Sequence, residues 1–226
     1  MTEIVNHVVY EKFPKGWVVR GVDYPPQIGD EIIIIDQIKG IPVVEIQDNA
    51  FFGLAMSKIT INAPIRWIGV NAFYDCKNLE KVVLHKQLRN PVVVFDSAFA
   101  NCERLLHFDV YSQVKLVGEK HFYKCRNLQR LDCSFIERIP AACFCGCTSL
   151  YEFKIYNDMI IHQTAFVDSG LTTFVLMNGV VFNLEEIIPF FAQHNVTIRC
   201  SANSYAVNAA YSGCKVDLLD DVFNVI

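Results

Sequence analysis

The sequence lacks the features of a membrane protein or a nucleic-acid-binding protein. No apolar run approaches the roughly 18 residues that a membrane-spanning helix needs, so we expect no membrane insertion. Lysine and arginine form no basic stretch, and the net charge of −4 is opposite in sign to the excess that nucleic-acid binders carry. The first residues, Met1 to Ile4, lack the basic and apolar regions of a secretory signal. We therefore expect a cytoplasmic protein, or a cell-surface or secreted one if a leader precedes Met1 in the natural chain.

The sequence also lacks the local motifs of most enzymes. Its 11 glycines do not fall in the spacing of a phosphate-binding loop, and it contains no Gly-x-Ser-x-Gly nucleophile turn. The histidines are scattered, without the His-x-x-x-His spacing of a metal site. Single residues separate Cys143, Cys145 and Cys147, which does not match the usual spacing of a zinc-binding pair. We predict no enzymatic activity, no cofactor and no metal.

What the sequence does contain is a repeat of about 22 residues. Six phenylalanines recur at spacings of 22, 26, 23, 22 and 22 residues, at Phe51, Phe73, Phe99, Phe122, Phe144 and Phe166. A β-branched residue stands five positions before each of them, at Ile46, Ile68, Val94, Val117, Ile139 and Ile161. A small residue directly precedes five of the six, and His121 is the exception. Each unit then closes with a large apolar residue and an alternating pair, as in Leu79, Val82 and Leu84.

This repeat predicts a solenoid. The alternating pair marks a short strand whose two apolar side chains point to one face. A coil of about 22 residues cannot bury that face alone, so successive copies stack and their strands align in parallel. The equivalent phenylalanines would then form a column through the core. The tight corner before each of them would leave room for little more than a methyl group.

The repeat also accounts for the positions of most of the nine cysteines. Four of them share one position, three residues after the phenylalanine, at Cys76, Cys102, Cys125 and Cys147. An odd number of cysteines without a secretory signal argues against a disulfide scaffold. We interpret the four as a ladder of buried thiols, one coil apart, that serves packing.

Different segments are predicted to cap the two ends of the array. Residues 1–45 lack the repeat and read as strands and turns, including Glu31 to Ile35, which predicts a hairpin cap. Residues 46–176 hold the six repeats, and residues 177–226 hold a degenerate repeat and a C-terminal cap. In this last part we predict helices at Leu184 to His194 and Ser204 to Tyr211, and strands at Val196 to Ile198 and Lys215 to Leu219.

The repeat unit resembles that of the BspA-like leucine-rich-repeat family. The matching motif is Ile-x-x-x-Ala-Phe-x-x-Cys-x-x-Leu-x-x-Val-x-Leu, as in Ile68 to Leu84, and the resemblance covers about residues 8 to 220. It implies an α/β leucine-rich-repeat solenoid, a right-handed superhelix with one parallel sheet of short strands, a hairpin N-cap and a small helical C-cap. It also implies a surface or secreted protein that adheres to host proteins and cells.

The outward-facing residues of the predicted strands form a candidate binding face. The face is partly aromatic, and its middle column mixes charged residues with uncharged ones, namely Asp109, Asp132, Lys154 and Arg199 with Thr60, Val83 and Val175. Such a mixture suits a protein partner better than a polyanion, although any solenoid face must expose some residues to water. The candidate binding residues are Lys81, His85, His107, Asp109, Tyr111, Arg130, Asp132, Lys154, Tyr156 and Arg199.

These observations predict a non-enzymatic protein-binding module, which the resemblance links to adhesion. The partner and the oligomeric state are left open. The alternative is a structural role, in which the solenoid self-associates or joins a larger complex through its edges or caps.

Overall fold

The chain winds into a β-solenoid of about seven turns, with very little helix among the residues that the structure describes, which confirms the predicted solenoid. A computed structural model describes residues 1–84, 91–110, 113–131, 136–156, 159–177, 187–200 and 213–218. In chain order the described elements are β1 (Thr2–Val5), β2 (Val8–Phe13), β3 (Gly16–Val22), β4 (Glu31–Ile34), β5 (Gln37–Ile38), β6 (Ile41–Ile46), β7 (Lys58–Ile61), β8 (Trp67–Ile68), β9 (Lys81–Leu84), β10 (Val92–Val94), β11 (His107–Val110), β12 (Val114–Leu116), β13 (Arg130–Leu131), β14 (Arg138–Ile139), β15 (Glu152–Ile155), β16 (Ile160–Ile161), β17 (Thr173–Leu176), α1 (Ile188–Gln193), β18 (Thr197–Cys200) and β19 (Lys215–Leu218).

The coils contribute strands to two parallel stacks. The repeat sheet comprises β4, β7, β9, β11 and β13, followed by β15, β17, β18 and β19. Its strands contain the closing apolar pairs, so the predicted parallel sheet is confirmed. The back sheet comprises β3, β6, β8, β10 and β12 with the shorter pair β14 and β16. Sequence reasoning missed this second sheet, which forms because the β-branched residues before each phenylalanine, such as Ile46 and Ile68, pair side by side.

The N-terminal segment extends both sheets as well as capping them. Antiparallel pairing joins β1 to β2 and β2 to β3, and β5 forms a hairpin with β6, so the predicted hairpins are present. However, β4 pairs in parallel with β7, with Ile32 beside Ile59 and Ile34 beside Ile61. The predicted cap therefore supplies the first strand of the repeat sheet. The division of the chain at residue 45 stays a prediction.

The six repeat phenylalanines form the predicted column. Their side chains are fully buried, and neighbouring rings stack with centroids 5.0, 5.0, 5.7, 5.6 and 5.4 Å apart along the chain. The small residues before them are buried too, including Ala72, Ala98 and Ala165. Burial of each ring contributes roughly 2 kcal/mol by area alone, so the column is a continuous apolar element through the core.

The cysteine ladder is also present, and each thiol makes a specific contact. The Sγ atoms of Cys76, Cys102, Cys125 and Cys147 donate to the carbonyls of Phe51, Phe73, Phe99 and Phe122, at 3.0 to 3.1 Å. Each cysteine thus bonds the phenylalanine of the preceding coil, so this position ties neighbouring coils together. These four cysteines are free rather than disulfide-bonded. Burial raises the pKa of Cys147 to about 12 and that of Cys125 well above its ordinary value.

The fourth coil departs from the sequence alignment by one residue. Leu116, not Val117, lies opposite Val94 and is buried, so the expected role of Val117 is wrong. The extra residue forms a turn at Gly118, whose φ is +92°. His121 fills the space at this corner, fully buried, with its Nε2 3.1 Å from the carbonyl oxygens of both Val94 and Val117. A larger side chain replaces the usual alanine because the longer turn provides room.

We expect the neutral form of His121 to stabilise the fold. Its Nε2 donates to carbonyls, and its buried Nδ1 has no acceptor among the described residues. Burial accordingly lowers the pKa of His121. Because the pKa of His121 in the folded state lies below its value in the unfolded state, the contribution of His121 to the free energy of unfolding is fully present above the unfolded-state pKa. The free energy of unfolding then falls as the pH drops from about 6.5 toward the folded-state pKa, by up to roughly 1.4 kcal/mol per pH unit.

Chemical denaturation at several pH values between 7.5 and 5 tests this prediction. His121→Gln should flatten the acid side of the stability profile, whatever its effect at neutral pH. The matched control is His107→Gln, because His107 is exposed on the repeat sheet, and that variant should keep the wild-type profile. An unchanged slope in His121→Gln would contradict the assignment.

The C-terminal part contains one short described helix and two strands of the repeat sheet. Helix α1 begins at Ile188 with Pro189 in its first turn, and it buries Phe190 and Phe191. Residues 184–186 of the predicted helix, the predicted helix at Ser204 to Tyr211, and Leu219 lie outside the described residues. Among the described residues, no helix has the length and apolar character required to cross a membrane.

Candidate functional site

The outer face of the repeat sheet carries most of the predicted binding residues. Lys81, His107 and Arg130 lie side by side on neighbouring strands. Lys154 and Arg199 share another row, with Val175 between them. The structure thus forms two groups, one on β9 to β13 and one on β15 to β18. Asp109 lies beside Val83 on the neighbouring strand, and Tyr156 directly follows β15. The last three candidates, His85, Tyr111 and Asp132, lie outside the described residues.

The middle column of this face is less accessible than its position suggests. Thr60, Val83 and Val175 were expected on the outer surface, yet only 5 to 6% of each is exposed. In a parallel sheet these side chains have neighbours on both adjacent strands, and long charged side chains lie beside them. The Thr60 hydroxyl, for example, donates to the carboxylate of Glu31 at 2.7 Å. Contact with a partner would therefore come from the flanking columns and from exposed members of the middle column such as Lys154.

Ion pairs neutralise most of the charge on this face. The pairs are Lys58–Glu31 at 2.9 Å, Lys81–Asp109 at 2.8 Å, Lys154–Glu152 at 3.1 Å and Arg199–Asp217 at 3.3 Å. The hydrogen bond from Thr60, followed by the contacts from Lys58, lowers the pKa of Glu31. Because these pairs are partly exposed, each contributes at most about 1 kcal/mol to stability. Their main effect is to leave the face close to neutral.

Two exposed tyrosines flank strand β15, and Tyr156 shares the outward-facing register of Glu152 and Lys154. Tyr151 precedes the strand and is 60% exposed, and Tyr156 follows it and is 47% exposed. Lys154 lies between them with its ion-pair partner Glu152. Tyrosines of this kind offer a large contact area with few rotatable bonds, which is why they are common at protein interfaces.

The outer face of the back sheet carries two grooves, which sequence reasoning missed. Val18, Glu45, Trp67, Val93 and Lys115 lie side by side in one row across β3, β6, β8, β10 and β12. A groove of about 420 Å³ lies at the Val18 end, and one of about 250 Å³ lies around Lys115. Trp67 is 39% exposed. The repeat predicted that Ile68 faces the core, and because neighbouring residues of a strand point to opposite faces, this was a usable signal for an outward-facing Trp67.

The cysteines and histidines form no chemical centre among the described residues. Groups of three or more side chains able to hold a metal ion are absent from that part of the chain. Cys143 and Cys147 are fully buried, and Cys145 is partly exposed. Burial and the charge of Asp168 raise the pKa of Cys145, which disfavours the nucleophilic thiolate. The described thiols therefore have the chemistry of packing groups.

Comparison with known proteins identifies the repeat. A family model described as a BspA type leucine rich repeat region matches residues 35–91 and 89–187, with six copies. No curated protein sequence matches the chain.

Solved structures show the same architecture at low sequence identity. A leucine rich cell surface protein from Faecalibacterium prausnitzii is 19% identical, with a TM-score of 0.62 over 80% of this chain. This chain spans only 50% of that protein. A T. pallidum leucine rich repeat protein is 21% identical, with a TM-score of 0.55 over 91% of this chain and 84% of its own. A Bacteroides ovatus leucine-rich repeat protein is 15% identical, with a TM-score of 0.50 over 96% and 76%. At these identities the similarity establishes the fold alone.

Proposed function

The chain belongs to the BspA-type leucine-rich repeat family, and we propose that it is a protein-binding module that uses the outer face of its repeat sheet. The observation that supports this most directly is the exposed side chain of Tyr156, in register with the outward-facing Lys154, with a second exposed tyrosine, Tyr151, directly before β15. The flanking columns add Arg130 and His107, which are exposed and make no ion pair with any described residue. Aromatic and arginine side chains of this kind supply most of the binding energy at protein interfaces.

The near-neutral charge of this face favours a partner that binds by shape and aromatic contact. The four ion pairs already satisfy most of its charged groups, so a highly charged partner would gain little there. The Faecalibacterium structure belongs to a cell surface protein. We extend the proposal to adhesion at a cell surface on this basis.

Photo-crosslinking, followed by affinity measurement with the purified partner, tests the proposal. A photoreactive phenylalanine analogue at position 156 should capture a protein from the native host's surface fraction, and the same analogue at Tyr24 is the positional control. The captured protein is then purified, and its affinity is measured against Tyr151→Ala/Lys154→Ala/Tyr156→Ala. We expect the dissociation constant to rise at least 10-fold, because truncation removes the aromatic contacts.

A matched variant on another surface controls for the loss of exposed apolar side chains in general. Tyr24→Ala/Ile28→Ala removes apolar side chains that are 52% and 69% exposed in the N-terminal segment, and it should leave affinity unchanged. Equal affinity of the β15 triple variant and wild type would show that the repeat sheet is not the binding face. Light scattering of the free protein is the companion measurement, since capture of a second copy of this chain with a dimer in solution would favour the structural role instead.

A further inference from the structure

We propose that the outer face of the back sheet is a second interaction surface, which binds an extended acidic segment of a partner protein. This surface lies on strands other than those of the repeat sheet, and the proposal does not rest on the function assigned to that sheet. Three features carry it: a continuous row across the strands, two grooves along the row, and a set of cations without partners.

The grooves lie along one row of outward-facing side chains. Val18, Glu45, Trp67, Val93 and Lys115 are consecutive members, each beside the next on adjacent strands. Beyond Lys115 the second groove continues to Glu137, Arg138 and Ile160. The larger groove is lined by the exposed aromatic rings of Phe13 and Trp67, which are 43% and 39% exposed. The row therefore offers apolar sites at both ends.

Cations without ion-pair partners flank this row. Lys15 and Arg66 line the larger groove, and Lys115 and Arg138 line the smaller one. All four are exposed, and none makes an ion pair with any described residue. On the repeat sheet four cations are neutralised by carboxylates at 2.8 to 3.3 Å, although Arg130 is not paired with any described residue. On the back sheet four unpaired cations line the two grooves together with only two carboxylates, Glu45 and Glu137, and this local excess of positive charge is complementary to an acidic ligand.

The two carboxylates in the row favour a peptide over a uniform polyanion. Glu45 lies between Val18 and Trp67, and Glu137 lines the smaller groove. They would repel the evenly spaced phosphates of a nucleic acid, whereas a peptide can place amide N–H groups or apolar side chains opposite them. A second copy of this chain would bring an equally basic face against the first. Like charges would then oppose each other across a symmetric contact.

The dimensions match a short extended segment. Adjacent strands lie about 4.8 Å apart, so the three steps from Arg66 to Arg138 span roughly 14 Å. An extended chain advances about 3.3 Å per residue, so acidic residues about four positions apart would reach both arginines. A bulky apolar residue beyond the first of them would lie over Trp67 and Phe13. The inferred ligand is thus an acidic segment of about 9 to 12 residues with at least one large apolar side chain.

Selection from a random 12-residue peptide library displayed on phage tests this inference with the intact protein. Acidic sequences containing a leucine or an aromatic residue should be enriched, and the selected peptides should bind in a salt-dependent manner. Trp67 provides a direct readout, because Trp17, the other of the two tryptophans, is 1% exposed and is already shielded. Bound peptide should reduce quenching of Trp67 by acrylamide.

Two variants of equal net charge distinguish direct contact with the peptide from the effect of the protein's overall electrostatic field. Arg66→Glu/Arg138→Glu should raise the dissociation constant of a selected peptide at least 10-fold at 150 mM NaCl. Arg104→Glu/Arg126→Glu makes the same change in net charge in two exposed turns outside both sheets, and it should leave this affinity within about 2-fold. Both pairs are exposed, so both variants should fold.

Several results would overturn the inference. These are enrichment of neutral or basic peptides, failure of the library to yield a binder, equal effects of the two charge variants, and unchanged quenching of Trp67. Tighter binding of a 12-nucleotide single strand than of any selected peptide would assign the face to nucleic acid instead. A dimer in solution that Arg66→Glu/Arg138→Glu disperses would assign it to self-association. None of these results depends on whether Tyr156 contacts a partner.

Discussion

Replacing Phe99 by alanine should lower the free energy of unfolding by about 3 to 5 kcal/mol. The ring is fully buried, stacks on Phe73 at 5.0 Å and on Phe122 at 5.7 Å, and meets the edge of Phe108 at 5.1 Å. Truncation would leave a cavity that rigid coils on both sides cannot close, so the loss exceeds the transfer free energy of the ring alone. Guanidinium chloride denaturation followed by circular dichroism gives the value.

Phe52→Ala is the matched control for this change. Phe52 also stacks on an aromatic ring of the next coil, Tyr74 at 5.3 Å, but it is 48% exposed and lies outside the core. We expect it to cost only about 1 kcal/mol, since about half of the ring stays exposed to solvent and truncation leaves no closed cavity. Equal destabilisation by the two substitutions would show that stacking outweighs burial, contrary to this account.

The position of Phe99 adds a second measurable consequence. Each coil of a repeat array contacts only its neighbours, so a defect in the middle weakens the coupling between the two halves. Trp17 and Trp67 both lie on the N-terminal side of Phe99, whereas circular dichroism reports on the whole chain. The two signals should therefore separate in Phe99→Ala if they coincide in the wild type.

The core was predictable because every repeat repeats the same environment. The phenylalanine and cysteine positions recur in register, so one physical argument for burial applied to several coils at once. The chain departed from the prediction at one coil, where Leu116 replaced Val117 opposite Val94. An extra residue before His121 shifts the register there. The sequence did not indicate this shift, because Val117 is β-branched and lies at the expected spacing before Phe122.

The corners of the coils were not predictable from residue type. The residue two positions before the core phenylalanine adopts a left-handed conformation in five coils, with φ of 50 to 60°, at Asn49, Asn71, Ser97, Lys120 and Ala142. Alanine and lysine rarely adopt this conformation unaided. Hydrogen bonds between coils impose it, as where the Phe51 amide donates to the Ala72 carbonyl at 2.8 Å and Phe144 donates to Ala165 at 2.8 Å. Stacking therefore overrides local preference at these positions.

The candidate binding surfaces were only partly predictable for a related reason. Strand alternation assigned side chains such as Lys154 and Tyr156 to the outer face of the repeat sheet. It could not reveal that Val83 and Val175 are covered by their neighbours, because coverage depends on which strands pair. Nor could it reveal the row from Val18 to Lys115, which joins five segments far apart in sequence.

Replacing Gly170 by alanine should cost about 3 kcal/mol, which is large for the addition of one methyl group. The last repeat is one residue shorter than the central ones, since Leu171 follows Phe166 by five residues where Leu150 follows Phe144 by six. The shorter loop brings Gly170 against the preceding coil, where its amide donates to the Cys147 carbonyl at 3.1 Å. A Cβ at this position would overlap the carbonyl oxygen of Thr148, a backbone atom that cannot rotate away. The two coils would have to separate.

Gly53→Ala distinguishes this overlap from ordinary backbone strain. Gly53 has a φ of +68° with nothing within 4 Å of the added Cβ, so alanine there costs only about 1 kcal/mol for the left-handed conformation. Thermal and guanidinium denaturation of both variants should therefore rank Gly170→Ala as the more destabilised. The reverse ranking would mean that the last repeat absorbs the methyl group by moving away from Thr148. The stacking of the final coils would then be looser than the fully buried Phe166 and Phe174 indicate.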